Sequence, residues 1–281
     1  APPSAFGTLS HVGPMTLTIE DTALMMDAIG KPHAKDPYSA LPESCVHPTC
    51  ERPYSEQLKD GVRGLRIAVS LYLGGYVPYC DPDIIECVKE AARVFESLGA
   101  IVEYADPPIA QFETYKAFKT LWSCGAANLM DKKFSKFENK EEIMSYLDPG
   151  LRQVADNGLK MTSVDVMGAE FTRASLGRAM NEFYAKYDLL ITPTLPIAPF
   201  PVNQEVSENH WDKWKDVKDM SPESINKEED KIRWWSWTPY TYPFNLTKQP
   251  AASVPCGWID RKEPVPNEMN SFPAGLQIVG P

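Results

Sequence analysis

The feature that most constrains this chain is a strand–helix–strand pattern over residues 65–104. Residues 65–70 read Leu-Arg-Ile-Ala-Val-Ser, a short apolar strand. Asp81-Pro82-Asp83 then opens a helix. The aspartate caps free backbone N–H groups, and proline at the first helical position loses no hydrogen bond. Ile84, Ile85, Val88, Ala92, Phe95 and Leu98 recur at helical spacing, and Gly99 ends the run. Residues 101–104, Ile-Val-Glu-Tyr, form the next strand. Strands joined by such a helix pair in parallel through a right-handed crossover. Parallel sheets are covered on both faces, so the expectation is an α/β fold: a mixed, largely parallel sheet with helices on both sides.

Other elements follow the same logic. Residues 18–30 read as a helix with Thr18 as cap, Asp21 at the capping-box offset, and Ile19, Ala23, Met26 and Ile29 on one stripe. Helical patterning spans residues 110–130, weakly 140–147, and again 163–187, with Val166, Phe171, Leu176, Met180 and Phe183 near one face. Residues 188–192 form a short, continuously apolar strand of the kind found inside a sheet. Residues 251–255 and 275–279 read as two further strands. A long Pro- and Ser-rich loop covers 31–64, and residues 203–231 form a polar surface excursion with one helix.

Composition narrows the class. With 43% hydrophobic and 23% charged residues, the 281-residue chain is an ordinary globular protein, expected to form one α/β domain over residues 1–281. A net charge of −10 repels phosphate backbones and argues against nucleic acid as a partner. No apolar run reaches the roughly 18 residues of a membrane helix. Residues 1–6 lack a basic stretch followed by an apolar core, and the six cysteines are unevenly spaced, so reduced thiols and a cytoplasmic location are expected. Cys45, His47 and Cys50, with Cys80, offer soft ligands for zinc, but tight Cys-x-x-Cys pairs are absent; a Pro-rich loop with incidental thiols is preferred, and no metal is assigned.

The chain holds no Gly-x-Ser-x-Gly elbow, no phosphate-cradling glycine loop and no His-Glu-x-x-His pair. Its four histidines, His11, His33, His47 and His210, are scattered. Composition and motif alone therefore name no activity.

Four blocks carry a resemblance. They are Phe6-Gly7-Thr8-Leu9-Ser10-His11-Val12-Gly13-Pro14-Met15-Thr16; Tyr187-Asp188-Leu189-Leu190-Ile191-Thr192-Pro193-Thr194; residues 242–257, from Tyr-Pro-Phe-Asn-Leu-Thr-Lys-Gln-Pro to Pro255-Cys256-Gly257; and Ala274-Gly275-Leu276-Gln277-Ile278-Val279-Gly280-Pro281. In this order they resemble the amidase signature family, with Lys248 where that family usually has glycine before Gln-Pro. The resemblance implies hydrolysis of a carboxamide C–N bond through an acyl-serine intermediate. A serine nucleophile, a second serine on a cis peptide and a lysine carry it out, with no metal or organic cofactor. Those groups lie in a Gly/Ser-rich signature preceding the block at Phe6, and this sequence has no such run. No catalytic residue is assigned here. The chain is expected to be the C-terminal portion of a larger amidase domain, inactive alone and exposing an apolar sheet edge to a missing N-terminal amidase segment. The expected ligand is a small-molecule amide. A homodimer stays open, as does a different class of role: a non-catalytic binding or partner subunit of an amidotransferase-like complex.

What remains is a pocket wall. Thr194 either presents a hydroxyl at the end of the 188–192 strand or belongs to a Pro-rich turn capping it. His11 either lines the pocket or is a surface or supporting histidine, and the latter is favoured. Five of the seven tryptophans, Trp211, Trp214, Trp234, Trp235 and Trp237, fall in or just after the variable excursion at 203–236. Trp234, Trp235 and Trp237 are read as an aromatic lining for a hydrophobic acyl group, against plain core packing. Asn245 either ties its loop to a neighbouring strand or touches substrate, and the tie is favoured.

Overall fold

A computed structural model describes residues 6–31, 52–134, 137–147, 149–199, 237–260 and 269–281. Five strands build one mixed sheet: β1 (Arg66–Val69), β2 (Ile101–Tyr104), β3 (Leu189–Pro193), β4 (Ala251–Asp260) and β5 (Ser271–Val279), in the order β2-β1-β3-β5-β4. The β1 strand pairs in parallel with β2 and β3, while β5 pairs antiparallel with β3 and β4. The crossover from β1 to β2 runs through α3 (Pro82–Ser97), capped by the Asp81 carboxylate and ended at Gly99, whose φ of +94° suits glycine alone.

Alternation along the strands makes two cores. Ile67, Val69, Ile191 and Leu276 face Val88 and Ala92 of α3. Ala68, Leu190 and Val279 face the opposite way, into a larger cluster with Leu176, Met180 and Phe183. That second face is built by α4 (Thr114–Phe134), α6 (Pro149–Lys160) and α7 (Ser163–Tyr184), with short helices α5 (Lys140–Ser145) and α8 (Tyr242–Thr247) beside α4. At its start α7 carries a reciprocal capping box, Thr162 with Asp165. Two more helices, α1 (Ile19–Ile29) and α2 (Tyr54–Gln57), pack on each other. None of the described helices is long and apolar enough to cross a membrane.

The strands β4 and β5 run longer than the 251–255 and 275–279 patterns, and α2 and α8 are short helices that no pattern announces; three further readings differ. The helix α6 is not announced by periodicity, because Asn157 and Gly158 look like breakers. Gly158 is instead a crossing point: a Cβ there would stand 2.0 Å from the Ser123 carbonyl oxygen, so α6 and α4 meet backbone to backbone. Phe171 does not join the buried face of α7; Ala169, Leu176, Met180 and Phe183 do, while Phe171 is 68% exposed. The helix α1 forms as its caps dictate, with Asp21 N–H donating to Thr18 Oγ1, but only Ala23 of its apolar stripe is buried. Cys45, His47 and Cys50, and the excursion at 203–236 up to Trp235 and Ser236, lie outside the described residues. Cys80 is described: its thiol is buried beside Tyr240, and desolvation pushes its pKa up to about 12.

Candidate active-site cleft

Residues 6–11 follow no strand or helix, so their carbonyls need partners from elsewhere. The Phe6 carbonyl accepts from Leu9 N–H at 3.1 Å, and two side chains serve Thr8 and Leu9. Arg173 of α7 sends Nη2 to Thr8 O at 3.2 Å and to Thr8 Oγ1 at 2.6 Å, and Nε to Leu246 O of α8 at 2.6 Å. Asn245 Nδ2 donates to Leu9 O at 2.7 Å. A planar guanidinium with diverging N–H groups can join three elements at once, which lysine cannot do. Glu170, 3.6 Å away on the same helix, balances the charge.

Beside this clamp lies an open cleft of about 670 Å³ between residues 6–9, α4, α7 and α8. Small residues make the room: Gly7, Gly125, Ala174 and Gly177 line it. Its polar groups include Thr8, Asn128, Glu170, Arg173, Thr247 and Lys248. The Cys124 thiol also opens on it, with its pKa raised by desolvation and Sγ 3.9 Å from Gly158 O.

An aromatic ladder runs from the cleft into the core. Phe6, on the cleft wall, stacks on Trp122 at 4.3 Å; Trp122 stacks on Phe118 at 5.5 Å, and Phe118 on Tyr242 at 4.4 Å. Tyr242 meets Tyr76 edge-on, and the two phenol oxygens share a hydrogen bond of 2.7 Å. Burial raises both phenol pKa values well above the ordinary tyrosine range, so both stay neutral. The block holding Tyr242 is fixed from the sheet. Gln277 of β5, itself buried, donates Nε2 to Tyr240 O at 2.8 Å and to Thr192 Oγ1 at 3.0 Å, while Tyr240 OH donates to Leu71 O at 2.6 Å. At the carboxyl ends of β1 and β2, Ser70 Oγ donates to Asp106 Oδ1 at 2.6 Å and accepts from Leu73 N–H.

The structure spreads the residues proposed from sequence. Asn245 and His11 meet beside the clamp: His11 Nδ1 lies 3.2 Å from Leu9 O and 3.4 Å from Asn245 Nδ2, and the imidazole is otherwise exposed. Asn245 ties α8 to the 6–11 segment rather than to a strand. Thr194, at the end of β3, shares a 2.7 Å hydrogen bond with Ser253 Oγ and sits against Gly275, whose missing side chain leaves it space. Trp237 is half-buried just before Tyr240, whereas Trp234 and Trp235 lie outside the described residues. None of His11, Thr194, Trp237 and Asn245 lines the cleft itself. Sequence reasoning missed Arg173, although a signal existed: position 173 falls on the stripe 169-173-176-180-183, where a lone arginine among apolar residues implies a buried polar task.

A family model described as Amidase matches residues 4–281. An acylamidase of Rhodococcus erythropolis is 29% identical over 273 residues, which are 97% of this chain and 49% of that protein. The A-type component of a glutamyl-tRNA(Gln) amidotransferase from Ligilactobacillus salivarius is 25% identical over 292 residues, 98% of this chain and 51% of that protein. Among solved structures, a bacterial aryl acylamidase of the amidase signature enzymes has the same fold, with a TM-score of 0.70 at 24% identity, covering 100% of this chain and 52% of that one. The 6-aminohexanoate cyclic dimer hydrolase follows with a TM-score of 0.67 at 19% identity over 94% of this chain and 49% of that one. The chain thus spans about half the length of the curated relatives it matches. On the family match, which takes in almost every residue, this chain belongs to the amidase family, that of the amidase signature enzymes.

Proposed function

We propose that the protein carrying this chain hydrolyses the C–N bond of an aromatic or otherwise hydrophobic carboxamide in the cytoplasm, and that these residues supply scaffold and pocket wall. The observation carrying the reading is the aromatic ladder Phe6–Trp122–Phe118–Tyr242 rising from the wall of the cleft. Of these rings Phe6 faces the cleft, and Trp122, Phe118 and Tyr242 stack behind it, so it offers apolar contact with little conformational entropy to lose. His11 and Asn245 stand beside the clamp that bounds the cleft, while Thr194 and Trp237 lie off its lining. The reacting serine comes from residues outside this chain. Its oxygen, freed of its proton by a placed base, attacks the amide carbon; the amine departs with a proton, and water cleaves the acyl-serine to a carboxylate. A wall alone holds reactant and transition state about equally, so these 281 residues bind without turning over. The 29% likeness to an acylamidase supports this reading. The 25% likeness to an amidotransferase component supports the assembly part of the alternative, a partner subunit in an amidotransferase-like complex.

Release of 4-nitroaniline from 4-nitroacetanilide tests the reading. The full-length protein gives steady turnover, residues 1–281 alone give none, and binding of acetanilide shifts tryptophan emission. Enzymatic turnover by residues 1–281 alone sinks the scaffold assignment. A full-length protein inert to aryl and alkyl amides sinks the hydrolase and leaves the partner role.

A further inference from the structure

Lys248 stands where the family resemblance expects glycine, and the structure shows what that position demands. Its φ is +64°, in the left-handed region, at the C-cap of α8. Glycine enters that region freely, whereas a lysine is strained there. Strain kept at a cleft asks for a function. Helix capping does not supply one: α8 is only six residues long, and the Leu246 carbonyl near its end already accepts from Arg173. Lys248 is exposed and is among the residues that line the cleft. It makes no hydrogen bond or ion pair among the described residues. The other two charged groups of the lining, Arg173 and Glu170, lie 3.6 Å apart and offset each other. Among the described residues the cleft lining therefore carries one positive charge without a counter-charge, in a chain whose net charge is −10. Asn128 and Thr247 stand on the same lining as further hydrogen-bonding groups.

We infer that Lys248 is a specificity-determining residue: its ammonium anchors a carboxylate on the amide substrate, so that the cleft prefers acidic amides over neutral ones of the same shape. The inference deepens the hydrolase reading and rests on it only for the link to turnover.

The test compares 4-acetamidobenzoate with acetanilide, which differ by the carboxylate alone, on the full-length protein. Binding is measured by calorimetry and hydrolysis by KM and kcat. Wild type binds the acid more tightly, and added salt narrows the difference. Lys248→Gly raises Tm by about 2 °C, since the strain is relieved. The same change weakens binding of 4-acetamidobenzoate about tenfold while acetanilide is unmoved. Lys248→Arg keeps the preference. Equal binding of the two ligands by wild type, binding of neither, or an equal shift of both in Lys248→Gly overturns the inference. Selective binding without turnover upholds the anchor and refutes the hydrolase; turnover without selectivity does the reverse.

Discussion

Two parts of this molecule satisfy their apolar side chains in opposite ways. In the sheet, Leu190 and Ile191 of β3 are both 0% exposed, one closed off by each layer of helices. In the segment from residue 12 through α1, Val12 is 93% exposed, Leu24 58% and Ile29 55%. Both regions obey local rules: β3 is a short apolar run, and α1 has its threonine cap and its glycine stop. The sheet side chains gain from burial against one another. The α1 side chains find almost no cover among the described residues. What holds α1 is polar: Asp27 accepts from Ser55 Oγ at 2.6 Å and from the Tyr54 and Ser55 backbone N–H groups. Upstream, Arg173 and Asn245 hold the 6–11 segment. Secondary structure is thus no guide to where the energy lies.

The comparison breaks or sharpens under substitution. Leu190→Ala is expected to cost about 3 kcal/mol by denaturant unfolding, because it leaves a cavity between β3 and α7. Leu24→Ala on α1 costs no more than about 0.5 kcal/mol. Similar losses for the two would mean that the α1 face is covered as fully as the sheet. A smaller effect separates two helical glycines. Gly158→Ala drives a methyl into the Ser123 carbonyl and costs about 2 kcal/mol, whereas Gly168→Ala on α7, with nothing within 4 Å, gains about 0.5 kcal/mol. If Gly158→Ala left stability unchanged, the close α4–α6 crossing would be wrong.

The smallest effect concerns pH. The Ser55 hydroxyl, helped by the two backbone donors, holds the Asp27 carboxyl below its usual value of 3.8. A depressed folded-state pKa gives stability that is present above the unfolded value and lost as pH falls through the folded one. The Tm difference between wild type and Asp27→Asn is therefore expected at pH 6 and should shrink as pH drops below about 4. A gap independent of pH would show that the carboxylate is not what ties α1 to α2.

Much of the scaffold could be read residue by residue. The Asp81-Pro82 start, the Gly99 stop, the 188–192 run and the Thr162-x-x-Asp165 box act through neighbours in sequence, so their physics is local. Legibility ended where distant residues decide. Gly158 looks like a breaker until Ser123, 35 positions earlier, is laid against it. Phe171 carries a core residue's chemistry on a face that no described element covers. The cleft itself could not be read at all, since Thr8, Arg173 and Leu246 meet only after α7 and α8 have packed.

By itself the sequence determined which segments are strands and most of the helices, where the capped helices start, and which family's blocks the chain carries, because caps, periodicity and turn residues act over a few positions. The tertiary structure alone decided which apolar stripes are buried, that Arg173 commits its guanidinium to a clamp, and that Lys248 adopts a glycine-like backbone at the edge of a cleft. Burial and long-range hydrogen bonding depend on what lies across the fold, and no single stretch of sequence contains that.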